Sequence, residues 1–218
     1  MTVKQITAAD AAAMVKTGMT VMIGGFMSCG TPLGIVDALV AAAPKHLTVV
    51  ANDCGTPGYG IGKLVDAGLI DAMIATHIGR NPAAGRMMGE GKINIKLVPQ
   101  GTFAEQIRAG GAGLGGILTP TGIGTEVETG KRIIEVDGRS FILETPLRAE
   151  IALVRGSIID KAGNIFYKGT TKNFNPLMAA AADVVIAEAE TIVEIGEIEP
   201  EFIMTPGIFV DYVVGGHA

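Results

Sequence analysis

Apolar positions in this chain fall into two kinds of run. Short continuous runs, often β-branched and bounded by glycine, proline or asparagine, mark strands at Thr20–Ile23, Leu47–Ala51, Ile70–His77 and Ile93–Val98. Between them lie segments read as helices at Leu33–Ala43, Ile61–Ala67, Pro82–Met88 and Phe103–Ala109. In the first of these, Leu33, Ile35, Val36, Leu39 and Val40 recur at the spacing of one helix face. The N-terminal stretch through Val15 reads as a helix, opened by a capping box between Thr7 and Asp10.

Strand and helix therefore alternate with short connections as far as Ala109. That order predicts an α/β fold: a mainly parallel sheet with helices on both faces. Such sheets bind ligands outside the carboxyl ends of their strands. Gly24–Pro32, Asn52-Asp53, His77-Ile78-Gly79 and Pro99-Gln100-Gly101 each follow a strand, so all four are expected at one edge.

Beyond Ala109 the rhythm changes. Gly110–Gly124 is a glycine-rich connection, read as a mobile or ligand-covering loop or a plain connector. Arg132–Val136 and Arg139–Leu143 flank Asp137-Gly138, a strong hairpin signal. Glu150–Ile159 reads as a long strand, Gly163-Asn164 as a second hairpin turn, Asn175–Ala182 as a helix led by Pro176, and Val184–Ala187 as a strand. The final stretch, with Pro200 and Pro206, reads as extended segments and turns. With no internal repeat and no linker, the expected organisation is one domain over residues 1–218 with a small antiparallel insertion.

Composition adds a surface argument. The charged fraction of the 218 residues is 18% and the apolar fraction 48% before 31 glycines are counted. Globular chains carry about 25% charge, so the water-facing surface is thinly charged and a face covered by another subunit is expected. Net charge is −5, there is no basic cluster interleaved with aromatics, and Trp is absent, which argues against a nucleic-acid partner. The N-terminus lacks the basic and apolar regions of a signal peptide, and no apolar run approaches the ~20 residues that span a bilayer. Cys29 and Cys54 form no CxxC, and a cytosolic chain with free thiols is expected, with no membrane partner.

The candidate chemistry lies in Gly24–Pro32, GGFMSCGTP, directly after Val21-Met22-Ile23. Paired glycines permit positive φ and close ligand approach, and the amides of the loop and the following helix start favour an anion. The same residues also suit a βα turn that only satisfies packing. Other patterns fail. Gly111, Gly113 and Gly116 match G-x-G-x-x-G but follow a helix rather than a strand. Gly62-Lys63 lacks the rest of a P-loop, and Ser28, Ser140 and Ser157 lie in no G-x-S-x-G elbow. His46, His77 and His217 have no partners at metal-ligand spacing, so no metal is expected; His77 reads as a half-buried histidine closing a strand. Cys29 lies near a helix start but has no evident histidine base, and reads as loop packing.

Gly18–Pro32 closely resembles the signature of family I CoA-transferases, and more specifically the A (alpha) subunit of the acetate/acetoacetate, or 3-oxoacid, type. The resemblance continues through Ala51-Asn52-Asp53, His77-Ile78-Gly79 with Asn81-Pro82, Val98–Thr102, Glu105–Arg108, Gly110–Gly113, Thr119–Thr125, Asn173–Pro176 and Thr205–Gly207. Thr17 stands where the family prefers Asp or Asn. The resemblance implies a Rossmann-like fold related to sugar-phosphate isomerases, and transfer of CoA from an acyl-CoA to a free carboxylate. It implies a glutamate that forms a mixed anhydride and then an enzyme–CoA thioester, a covalent route that keeps the thioester energy. That glutamate belongs to the B subunit, in a Ser-Glu-Asn-Gly motif. This chain has neither Ser-Glu nor Glu-Asn, and Glu90-Gly91 reads as a solvated helix end.

The resemblance thus implies half an enzyme, inactive without a beta subunit, in a hetero-oligomer of α2β2 size or larger, with no catalytic residue of its own. CoA or acyl-CoA enters as substrate, with no permanently bound cofactor. The expected CoA-contacting residues are Gly24, Gly25, Phe26, Met27, Ser28, Cys29 and Gly30. Phe26 and Met27 would form apolar walls for the pantetheine, although Phe26 also reads as a core anchor. Gln100 is expected near the attacked carbonyl as an oxyanion donor or positioning group, or else as a loop-bracing amide, and Asn52 braces the same edge. The rivals are a single-chain sugar-phosphate isomerase, which lacks an evident Asp/Glu/Lys cluster here, and a sensor domain binding CoA or a phosphosugar.

Overall fold

The structure, a computed structural model, describes residues 2–215. Its strands are β1 (Lys4–Ile6), β2 (Thr20–Ile23), β3 (Leu47–Val50), β4 (Ile70–Ala75), β5 (Asn94–Leu97), β6 (Ile117–Thr119), β7 (Ile133–Val136), β8 (Arg139–Glu144), β9 (Ala149–Asp160), β10 (Ile165–Phe166), β11 (Ala182–Val193) and β12 (Tyr212–Gly215). Its α-helices are α1 (Ala8–Met14), α2 (Leu33–Ala42), α3 (Gly62–Asp66), α4 (Pro82–Gly89), α5 (Gln100–Gly111) and α6 (Asn175–Ala180).

The main sheet runs β1-β12-β11-β9-β2-β3-β4-β5, with β10 paired to β9. Every pair is parallel except β10 with β9. Side chains alternate across it. Val21 and Ile23 of β2 join a buried cluster with Ala11, Ile35, Leu39, Leu64 and Ala84, from α1 to α4. Met22 points the other way, into a cluster with Phe103 and Ile107 of α5 and Met178 of α6. The expected sheet with helices on both faces is what forms, and the antiparallel insertion is a separate small sheet, β6-β8-β7. Its hairpin turns at Asp137 and Gly138, both at positive φ (48° and 71°), as an Asp-Gly pair allows.

Two features position the site. The chain passes from β2 to β3 on one side and from β9 to β11 on the other, so β2 and β9 flank the point where the strand order reverses. In an open parallel sheet the ligand crevice lies outside the strand carboxyl ends at that point. Furthermore, β2 ends level with Leu153, whereas β9 and β11 stay paired as far as Asp160 and Val193. With β10 paired to β9 at Ile158 and Ile159, they stand as a wall beyond the loop that leaves β2.

Several boundaries differ from the sequence reading. The first helix starts at Ala8, behind the Thr7–Asp10 capping box as read, but the short strand β1 precedes it, because three residues give no periodicity to read. The strand read at Val184–Ala187 is twelve residues long. It continues through the polar run Glu188-Ala-Glu-Thr, where Glu188 is 6% exposed and has a partner described below. Gly110 and Gly111 belong to the last turn of α5 rather than to a covering loop. A Cβ on Gly110 would lie 2.0 Å from the Leu147 carbonyl, and one on Gly111 2.8 Å from Ala180 Cβ. These two glycines serve close helix packing.

Candidate active site at the strand carboxyl ends

The glycine loop leaves β2 at the reversal point, held by the Gly24 N–H donating to the Leu153 carbonyl at 2.9 Å. A Cβ on Gly24 would lie 1.9 Å from Asn175 Oδ1, one on Gly25 (φ +122°) 2.0 Å from Thr31 Oγ1, and one on Gly30 (φ +75°) 2.5 Å from the Thr171 carbonyl. The space freed by all three is thus filled by the protein's own atoms. Packing alone accounts for glycine at these positions.

Residues 26–29 form a two-residue hairpin, with Phe26 N–H to Cys29 O at 3.0 Å and Cys29 N–H to Phe26 O at 2.9 Å. Its central residues, Met27 and Ser28, both lie at positive φ (49° and 67°). For non-glycine residues each such conformation costs about 1–2 kcal/mol. Asp53, at the end of β3, holds the hairpin: its carboxylate accepts from the Met27 amide at 2.7 Å, and also from Asn52 Nδ2 and the Gly55 amide. Asp53 bridges in turn to His77, whose ring lies 6.0 Å from that of Phe26. The glycine loop, Asn52-Asp53 and His77 do gather at one edge.

A second loop, around Gly169–Thr171, closes over the hairpin from the β9 side. Asn173 Nδ2 donates to the Cys29 and Thr170 carbonyls at 2.9 and 2.8 Å. Asn175 Nδ2 donates to the Gly30 and Thr171 carbonyls at 3.0 and 2.8 Å, while its Oδ1 accepts from the Arg155 amide at 3.1 Å. Cys29 Sγ meets the Thr170 hydroxyl at 3.3 Å. Between the two loops opens a cavity of about 420 Å³ lined by Phe26, Cys29, Thr170 and Asn173. Met27 projects from the rim, 41% exposed.

Electrostatically, the helix start behind the loop is not the open anion site that the sequence suggests. Glu188 reaches from β11 to accept the Ile35 amide, the third of α2, at 2.8 Å. Arg155 is paired with Glu190 at 3.0 Å and donates to the Thr31 carbonyl at 3.3 Å. Among the described residues, the amides of Gly25, Ser28 and Gly30 have no protein acceptor. They are the unpaired donors of the loop, with Gly25 and Gly30 buried and Ser28 half-buried.

The other candidates separate clearly. Gln100 is the first residue of α5 and is exposed. From Gln100, α5 runs back towards the glycine loop: one turn on, Phe103 packs with Met22 of β2 and lies 5.5 Å, ring to ring, from Phe174 beside Asn173. A second cavity, of about 530 Å³, begins beside it and is lined by Gly101, Thr102, Glu105, Arg108 and Leu118. Glu90 sits at the exposed end of α4, where a hydrogen bond and the charge of Lys92, at 2.7 Å, hold its carboxyl below the usual range. Burial, with a further contribution from the Asp53 charge, pushes the Cys54 thiol up to about 11. His46 pairs with Asp71 on the surface, and His217 lies outside the described residues. No cluster of His, Cys, Asp and Glu among the described residues is arranged to hold a metal, and no helix there is long and apolar enough to cross a membrane.

Sequence reading missed the second wall of the site. Asn173-Phe174-Asn175-Pro176 stood out only as part of the resemblance, because a contact spanning about 145 residues leaves no local periodicity. Glu188 and Arg155 were equally invisible.

A family model described as Coenzyme A transferase matches residues 5–216. The chain belongs to the coenzyme A transferase family. Over 199 residues, covering 91% of each protein, it is 52% identical to the acetoacetyl-CoA:acetate/butyrate CoA transferase alpha subunit of Clostridium acetobutylicum. Over 214 residues, 98% of this chain and 97% of the other, it is 48% identical to the acetate CoA-transferase subunit alpha of Escherichia coli. The fold is that of solved coenzyme A transferases. An Escherichia coli acyl-CoA transferase superposes with a TM-score of 0.89 at 21% identity, this chain spanning 98% of its own length and 47% of that longer chain. Glutaconate coenzyme A-transferase from Acidaminococcus fermentans superposes with a TM-score of 0.84 at 20% identity, covering 97% of this chain and 75% of the other.

Proposed function

We propose that this chain is the alpha subunit of a short-chain acyl-CoA:carboxylate CoA-transferase, acting on acids of the acetate, butyrate and acetoacetate class together with a beta subunit. The observation that carries the reading is near end-to-end similarity, at 52% and 48% identity, to two proteins named as alpha subunits of such transferases. The site supports it. A partly apolar cavity beside unpaired backbone donors, at the reversal point of a parallel sheet, suits a thioester arm ending in a polarised carbonyl.

In this reading residues 24–30 present the CoA-binding surface: Phe26, Met27 and Cys29 through their side chains, and Gly25, Ser28 and Gly30 through their amides. Gly24 keeps the loop in place. Gln100 supplies an uncharged donor at the start of α5, to position the carbonyl or stabilise the oxyanion. The reacting carboxylate comes from the beta subunit, because this chain has no Ser-Glu or Glu-Asn pair and its exposed Glu90 is engaged by Lys92. The thinly charged composition fits a face covered by that subunit, in a single-domain cytoplasmic protein.

The test is an assay of CoA transfer from acetoacetyl-CoA to acetate by the purified chain, by its beta subunit, and by the two together. Activity only in the mixture is expected. Full activity from this chain alone contradicts the division of labour, and an inactive but stably assembled mixture contradicts the transferase reading.

A further inference from the structure

We infer that Lys168 and Lys172, on the loop closing the cavity, bind the phosphate end of CoA; this rests on the transferase reading above. The observation is a local excess of positive charge. The chain carries 22 acidic against 17 basic residues, yet residues 161–182 contain three lysines and no Asp or Glu. Residues 17–36, which include the glycine loop, carry no charged side chain. The third lysine, Lys161, is paired with Glu194, whereas Lys168 and Lys172 are exposed and, among the described residues, make no ion pair. The carboxylates that hold the glycine loop and its following helix are already engaged: Asp53 by three hydrogen bonds, Glu188 by the Ile35 amide and Glu190 by Arg155.

The backbone carrying these lysines is fixed. The Lys168 amide donates to Ser157 Oγ at 2.9 Å, Thr171 Oγ1 donates to the Lys168 carbonyl at 2.9 Å, and Ser157 Oγ meets Thr171 Oγ1 at 3.2 Å. The Lys172 carbonyl likewise accepts from the Asn175 amide at 3.0 Å, so the backbone of both lysines is anchored next to Thr170 and Asn173, which line the cavity, and both residues are exposed. An apolar slot with a cationic rim fits a ligand with an uncharged arm and a polyanionic end. A compact ammonium on a flexible stem serves phosphates as a point charge. Because the lysines sit at the rim, they fit the nucleotide phosphates rather than the small acid consumed deep in the site.

The experiment uses the assembled complex with Lys168→Gln and Lys172→Gln combined, and compares acetyl-CoA with acetyl-pantetheine, which lacks the nucleotide. The expected result is a rise of about tenfold in KM for acetyl-CoA and an equal fall in the preference for acetyl-CoA over acetyl-pantetheine. Added salt should raise the wild-type KM for acetyl-CoA and affect the double variant much less. An unchanged KM for acetyl-CoA, an equal change for both thioesters, or dissociation of the complex by the substitutions would each overturn the assignment. A wild-type complex that transfers no CoA from either thioester counts instead against the transferase reading.

Discussion

The Glu188 carboxylate accepts the backbone N–H of Ile35 at 2.8 Å across a separation of 153 residues. A strand on the far side of the reversal point thereby caps the helix that follows the glycine loop. Pro32, at the N-cap of that helix, makes no capping hydrogen bond of its own, and no acidic residue lies in its first turn. The cap therefore ties the loop to the β9–β11 wall and neutralises a helix end that would otherwise attract an anion. Glu188→Ala should destabilise the chain by about 1–2 kcal/mol. Urea unfolding checks this: the midpoint should fall with the slope unchanged.

Asn175 and Gly24 act as one unit, since the amide group of Asn175 occupies the space where a Gly24 side chain would sit. Gly24→Ala alone should cost about 3 kcal/mol through overpacking. Asn175→Ala alone should cost about 2–4 kcal/mol, because it strands the Gly30 and Thr171 carbonyls and the Arg155 amide. The double variant should be less destabilised than the sum, since truncating Asn175 makes room for the new methyl group. Additive losses in a double-mutant cycle would show that the two positions do not compete for this space.

The small sheet is tied to α5 through Glu144 of β8, which takes Lys131 as its cation and Gln106 of α5 as a hydrogen-bond donor. Lys131 Nζ lies 2.6 Å from Glu144 Oε1, and Gln106 Nε2 reaches the other oxygen at 3.3 Å. The Glu144 side chain is 3% exposed. Lys131→Met should cost about 3 kcal/mol by leaving that carboxylate buried without its cation. Hydrogen exchange should then quicken first in β7 and β8, and unchanged protection there would count against the tether.

The two thiols should separate by reactivity and by pH. Cys29 is exposed and Cys54 buried, so a thiol reagent should label one site in the folded chain and a second only on unfolding. The folded Cys54 thiol titrates at about 11 against an ordinary 9.0. Its folded form thus holds the proton more tightly than its unfolded form. The associated stability is complete below pH 9.0 and is lost as pH rises toward about 11. Unfolding midpoints between those limits should fall less steeply in a Cys54→Ala variant than in the wild type.

Most of the fold was legible because its elements announce themselves locally. Val21-Met22-Ile23, the Asp137-Gly138 turn and the Thr7–Asp10 capping box each follow from short-range chemistry. The strands that escaped depend on distant partners: β1 and β12 pair with each other, β6 pairs with β8 out of the glycine-rich connection, and the later part of β11 stays extended beside β9. The site divides in the same way. Its glycine loop was visible from composition and from the family resemblance, whereas the Asn173–Asn175 wall and the Glu188 cap arise from contacts spanning more than a hundred residues. The meaning of the glycines also shifted, from openings for a ligand to openings for Asn175, Thr31 and the Thr171 carbonyl.

The central claim is that this polypeptide shapes the CoA site while another supplies the group that reacts. Intact-mass spectrometry of both polypeptides, after the complex is incubated with acyl-CoA and no acceptor acid, tests it most directly. A CoA-sized, hydroxylamine-sensitive mass increase on the beta subunit, with this chain unmodified, is the predicted result. The same increase on this chain would contradict the account.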